Sequence, residues 1–191
     1  MFFTITPVTE LEAVNEIITT IGESPVNTLE NASSVDVINA MRVLKTVSRE
    51  VQSKGWTFNR AYGITLNPDR YEKTIPWDNQ YLFVQSLAGN ILRNRGGVVF
   101  DVTNNTDQFD SPIEVNLYQL VPFEEMPEPF RNFVTTRASR VFEQRYLGDE
   151  ALQQELLQAE QQAYQGIMEH EHDLEHNNFS TNQAIVTLMN R

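Results

Sequence analysis

The three histidines of this chain, His170, His172 and His176, fall within seven residues of one another. His172-Asp173-Leu174-Glu175-His176 spells the H-x-x-E-H zinc-ligand string, with two imidazoles one helical turn apart. Zinc hydrolysis needs a third protein ligand and a walled cleft in which the metal polarises its substrate. Here the string sits in an acidic segment with little sequence after it to build a wall. Five-residue strings of this kind also arise by chance. A solvated helix end is the commoner state of such histidines, ahead of adventitious metal capture and far ahead of catalysis. No metal or cofactor is assigned from the sequence.

The 26 carboxylates offer many pairs for glycoside hydrolysis, a reaction that needs two carboxyls roughly 5 to 10 Å apart across a sugar cleft. Trp56, Trp77, Tyr62, Tyr71 and Tyr81 could stack on sugars, although aromatics in a β region are more often core. No G-x-S-x-G string supplies an acyl-transfer nucleophile, and no Walker or dinucleotide glycine loop is present to cradle phosphate. Cysteine is absent, which removes disulfides, thiolate metal clusters and cysteine nucleophiles together. Arg93 and Arg95 lie beside the glycine pair Gly96-Gly97. Two bases near a hairpin tip of an acidic protein can touch an acidic neighbour or a passing phosphate.

Charge narrows the partners. The formal net charge is −12, from 26 acids against 14 bases, and a surface this acidic repels a phosphate backbone, so a groove-reading nucleic-acid binder is not expected. After Arg145 no lysine or arginine appears until Arg191, while Asp149, Glu150, Glu155, Glu160, Glu169, Glu171, Asp173 and Glu175 all fall between. Blocks like this are usually solvated faces. Hydrophobic residues make up 40% and charged residues 21% of the 191, the balance of a globular chain of one domain, or of one domain with a small subdomain. No run approaches the ~18 apolar residues of a membrane span, and the first residues lack the pattern of a signal peptide. A soluble, cytosolic protein is expected.

The elements that must position these residues fall into zones. Thr9 with Glu12 has the form of a capping box, followed by Leu11, Val14, Ile17, Ile18 and Ile21 at helical spacing and a stop at Gly22. A second helix is predicted after Ser33 or Ser34, with Val37, Ile38, Met41, Leu44, Val47 and Val51 inward, Arg42, Lys45, Arg49 and Lys54 outward, and Gly55 at its end. From Trp56 the period shortens. Strands are predicted over 56–59, 63–66, 81–87, 90–92, 98–102 and 113–121, with turn chemistry at Asn67-Pro68-Asp69, Trp77-Asp78-Asn79 and Arg95-Gly96-Gly97. Helix resumes after Pro127-Glu128-Pro129, with Phe130, Phe133, Val134, Ala138, Val141, Phe142 and Tyr146 as its stripe and Gly148 as its stop. Asp149 can cap a last helix carrying Leu152, Leu156, Ala159, Ala163, Ile167 and Leu174 inward. His176-Asn177-Asn178 is expected to break that helix into an extended tail, whose Phe179, Ile185, Val186, Leu188 and Met189 can dock on a partner.

The expected fold class is α+β: a helical bundle with an inserted small antiparallel β subdomain and an extended C-terminal tail. Its predicted parts are a helical hairpin over 1–55, the β subdomain over 56–122, further bundle helices over 123–174 and the tail over 175–191.

Several stretches, in order, resemble the tail tubular protein A family, the head-to-tail adaptors of short-tailed bacteriophages. They are IGESPVNTLE at 21–30, QSKGWTFN at 52–59, NRGG at 94–97, FDS at 109–111, EMPEPFR at 125–131 and RASR at 137–140. Gln108 departs from the pattern, which has a base before the phenylalanine. The resemblance implies a non-enzymatic virion protein of the tail, assembled in the host cytoplasm. It also implies a homo-oligomer, a dodecameric ring between the portal protein and the tail nozzle (tail tubular protein B). DNA would pass through its channel without specific binding, and no membrane is involved. On that reading the apolar residues of the tail are candidates for portal docking, and Arg93 and Arg95 for inter-subunit or nozzle contact. Two alternatives stand beside it: a tail-associated glycoside hydrolase acting on host surface polysaccharide, and a host-directed acidic protein that mimics DNA.

Overall fold

Thr9 opens the first helix, α1 (Glu10–Thr19), by the capping box its sequence predicts: its hydroxyl accepts from the Glu12 amide, and the Glu12 carboxylate accepts from the Thr9 amide at 2.9 Å. Gly22, at φ 83°, closes the helix, and the Glu23 amide reaches back to the Ile18 carbonyl. The computed structural model describes residues 8–30 and 34–181, with side chains to Leu174. The other helices are α2 (Val35–Gln52), α3 (Glu128–Tyr146) and α4 (Glu150–Thr181). Five strands lie between α2 and α3: β1 (Arg60–Leu66), β2 (Tyr81–Ser86), β3 (Leu92–Arg95), β4 (Val98–Asp101) and β5 (Ile113–Gln119). An α+β fold is what the sequence predicts and what is found.

The chain divides into two compact units, residues 1–48 with 122–191 and residues 49–121. The helical unit is organised around α3, which packs on both α1 and α4. Phe130, Phe133, Val134, Ala138 and Phe142 of α3 are buried, as their spacing predicts. So are Arg131, Thr135, Thr136, Ser139 and Glu143. A helix buried on more than one side must settle its polar groups locally. Thr135 and Thr136 do so by donating to the carbonyls of Arg131 and Asn132 one turn back, at 2.8 and 2.9 Å. In α2 the buried stripe is Val37, Ala40, Val43, Leu44, Val47 and Val51. Ile38, predicted inward, is exposed, and Arg42, Lys45 and Arg49 are outward as predicted.

The β unit holds two small antiparallel sheets, one in the order β1-β5-β2 and one pairing β3 with β4. Leu66, Val84, Val115 and Leu117 from the first sheet, Leu92 and Val99 from the second, and Ile75 and Phe109 from loops form one apolar core. The β3–β4 hairpin turns on Gly96 and Gly97, at φ 65° and 84°, with Arg95 opposite Val98. Two consecutive positive φ values in a two-residue loop suit the strand twist and are easy only for glycine.

Three local expectations are corrected. Residues 57–59 form a 3-10 turn (Thr57–Asn59) rather than part of a strand, because the Asn59 side chain takes backbone partners that a ladder would otherwise use. The strand predicted at 90–92 is β3, so Arg93 and Arg95 lie on a strand beside the glycine turn. The last helix runs through His176-Asn177-Asn178 to Thr181 rather than breaking there; three weak helix formers are not enough to end a helix of this length. Phe179 thus belongs to α4 by its backbone, while its side chain and Ile185, Val186, Leu188 and Met189 lie outside the described residues.

Gly55 stands at φ 69°, and a methyl group placed there would sit 2.4 Å from the Tyr118 ring. Replacing Gly55 by Ala is expected to destabilise the β unit by about 1–3 kcal/mol from backbone strain alone, with the clash added. An unchanged urea midpoint for that variant would contradict this packing.

Candidate functional site

The polar chemistry buried in this chain is concentrated in joints between chain segments. In the β unit the side-chain amide of Gln52, fully buried, pairs both backbone groups of Val121: it donates to the carbonyl at 3.0 Å and accepts from the amide at 2.7 Å. The side chain of Asn59 donates to the carbonyls of Gln52 (2.8 Å) and Gln119 (3.0 Å) and accepts from the Trp56 amide at 2.7 Å. The Trp56 indole donates to the Val51 carbonyl at 2.7 Å. Two neutral amides and an indole therefore tie the ends of the unit together. These groups belong to the QSKGWTFN stretch, where glutamine and asparagine flanking Gly-Trp are the signal in the sequence.

The α3–α4 corner has a charged version of the same device. Glu143, fully buried, accepts from the Asp149 amide at 2.7 Å and from the Gln153 side chain, while its carbonyl accepts from the amides of Leu147 and Gly148. Gly148 turns the chain at φ 72°, and Asp149 caps α4 through the Leu152 amide at 2.9 Å. Arg140 and Glu160 pair across the two helices. At the other end of α3, Arg131 bonds the Val8 carbonyl at 3.1 Å and Glu128 at 2.9 Å.

The β unit also carries a cleft of about 590 Å³, lined by Asp101, Asp110 and Glu114 with Asn104, Gln108 and Phe109. Burial raises the pKa of Asp101, yet hydrogen bonds from the Asn104 amide, from the Asn90 and Asn104 side chains and from the Thr103 amide more than offset it, leaving the carboxyl below its ordinary range. Asp110 is held low by its hydrogen bond and charge pairing with Lys73. A glycosidase needs one carboxyl raised enough to stay protonated at neutral pH. Asp101 and Asp110 are tuned the opposite way. Nor do Trp56, Tyr62, Tyr71, Trp77 or Tyr81 line this cleft as a sugar platform; the Trp77 indole donates to the Tyr81 carbonyl at 3.2 Å and meets the Tyr81 ring edge-on at 6.1 Å.

Among the described residues no group of three His, Cys, Asp or Glu side chains is placed to hold a metal ion. His170 lies edge-on to Phe130 at 6.1 Å, and His172, two residues along the same helix, is exposed; the side chain of His176 is outside the described set. No described helix is long and apolar enough to cross a membrane. Arg93 and Arg95 both lie over the ring of buried Phe100, with guanidinium carbons 5.5 and 4.5 Å from its centroid. Both stay exposed. They form a presented pair of cations rather than a cradle.

In this α+β protein the buried polar groups brace turns and cap helices, and the exposed bases present charge. The family model of tail tubular proteins matches residues 11–177, and the chain belongs to that family. Tail tubular protein A of Klebsiella phage KP34 is 29% identical to it over 120 residues, 62% of this chain and 63% of that relative. The matched part thus spans a little under two thirds of the relative's length. The chain is accordingly a structural protein of a bacteriophage tail.

Replacing Gln52 by Ala is expected to cost up to about 1–3 kcal/mol for each part-buried Val121 backbone group left unpaired, read as a lower denaturation midpoint. Asp101 sets a pH dependence. Its folded pKa is lowered, so its stabilisation is present above the unfolded value of about 3.9 and is lost as pH falls through the folded value. Stability of the β unit should decline on acidification below about pH 4, and Asp101→Asn should flatten part of that decline. An equally steep profile in the variant would contradict the assignment.

Proposed function

We propose that this chain is the subunit of a tail adaptor ring, joining the portal protein to the tail nozzle (tail tubular protein B) and continuing the channel through which DNA leaves the capsid. The observation that carries this reading is the family match over residues 11–177. The proposed assembly is a dodecamer, put together in the host cytoplasm and retained in the virion tail. Its work is assembly and conduction, without catalysis or cofactor.

The physical chemistry suits that work. The −12 net charge opposes adhesion of a phosphate backbone, and although one exposed charge pair is worth only ~1 kcal/mol in water, a ring repeats it along the bore. Contacts to the rings above and below need only be weak one by one, since twelve of them act together. For docking on the portal, the apolar residues Phe179, Ile185, Val186, Leu188 and Met189 remain the proposed element. For inter-subunit or nozzle contact it is Arg93 and Arg95. Their guanidinium groups, already ordered over Phe100, lose less freedom than free side chains when they meet a carboxylate.

Removing residues 177–191 is expected to leave the circular dichroism spectrum close to that of the full chain and to abolish co-sedimentation with purified portal rings. Truncated protein that still sediments with the portal would sink the tail-docking role. The double variant Arg93→Ala with Arg95→Ala should weaken ring or nozzle contact at least tenfold, read by titration of the assembled complex; equal assembly would remove the arginines from the interface.

A further inference from the structure

Two exposed patches of the helical unit are unlike each other and complementary. On α2, Val35, Ile38, Arg42 and Lys45 recur at spacings of three, four and three, which places them on one face. Val35 is 67% exposed and Ile38 37%, and Arg42 and Lys45 are exposed and make no ion pair among the described residues. On α4, Glu150, Leu157, Tyr164 and Met168 recur at spacings of seven, seven and four, again one face. Leu157 is 44% exposed, Met168 48% and Tyr164 38%, and Glu150 is exposed. One patch is apolar and basic. The other is apolar and acidic, on a helix without a single lysine or arginine.

We infer that the α2 face of one copy docks on the α4 face of a second copy, in a head-to-tail contact. The spacing supports one register. Ile38 to Lys45 is seven residues, and Leu157 to Glu150 is seven residues in the opposite direction, about 10 Å along each helix. An antiparallel crossing therefore sets Ile38 on Leu157 and Lys45 on Glu150 together, with Val35 level with Glu160, between Leu157 and Tyr164, and Arg42 level with Gln153, near the acidic start of α4. Because the two patches are different surfaces of the same chain, two copies joined by a single contact keep one patch of each kind unused between them. Made head-to-tail, such a contact leaves one patch of each kind free on every open assembly, so it closes into a ring or runs on as a filament. The inference rests on the ring reading above and names the surfaces that would build it.

Charge exchange tests it. One variant carries Arg42→Glu and Lys45→Glu; the other carries Glu150→Lys. Both sets of side chains are exposed, so circular dichroism and melting of each variant should stay near the wild type. Each variant alone should show at least a tenfold weaker self-association by sedimentation velocity. An equimolar mixture should recover assembly, since the reversed α2 of one then meets the reversed α4 of the other. Wild-type rings matched by unimpaired assembly of either variant, or no recovery in the mixture, would overturn this contact and leave the ring reading in place. A wild-type chain that stays monomeric, alone and with the portal, would overturn both.

Discussion

The β unit depends on one buried amide. Gln52 sits at the last turn of α2, and its side chain holds both backbone groups of Val121, the last residue of the unit. The sequence separation between those partners is 69 residues, so the bond brings the two ends of a long loop to one point. Loop closure over that length is entropically costly, though the cost grows only slowly with length. The amide is suited to it because it offers one donor and one acceptor, matching a backbone amide and carbonyl. A carboxylate could only accept, and an apolar side chain would leave two part-buried groups unpaired. Asn59 then uses the Gln52 and Gln119 carbonyls, and Tyr118 can approach the backbone only because residue 55 has no side chain.

The helical unit solves a similar problem with charge. Glu143 at the α3–α4 corner gathers the Asp149 amide and the Gln153 side chain, and so fixes where a long acidic helix departs. A buried carboxylate without such donors would be costly. With them, α4 projects its acids and its row of exposed apolar side chains on a stem that is set at its base. In the adaptor ring proposed for this chain, a stiff joint behind an exposed surface would keep the ordering cost of association low.

Much of this was legible in the sequence where the cause is local. The Thr9 box, the Gly22 and Gly148 stops, the Asp149 cap and the Gly96-Gly97 turn each follow from a few adjacent residues. The α3 stripe was legible from periodicity, but its buried Arg131 and Glu143 were not, since helical spacing gives no sign that a second face is covered. Residues 57–59 read as strand because Trp and Phe favour it, whereas the deciding bonds go to Gln52 and Gln119, seven and sixty residues away. Arg93 and Arg95 were visible as a pair of bases beside a turn, but their shared seat on Phe100 required the β3–β4 register. The helix end at Thr181 rather than near His176 reflects how little three weak helix formers weigh against the turns that precede them.

This structural tail protein is proposed to work as a ring seated on the portal. Electron microscopy of the purified full-length chain, alone and mixed with portal rings, tests it most directly. Twelve-fold rings, or portal particles that gain a second tier, are the expected result. Particles that remain single subunits, with portals that gain no density, would contradict it.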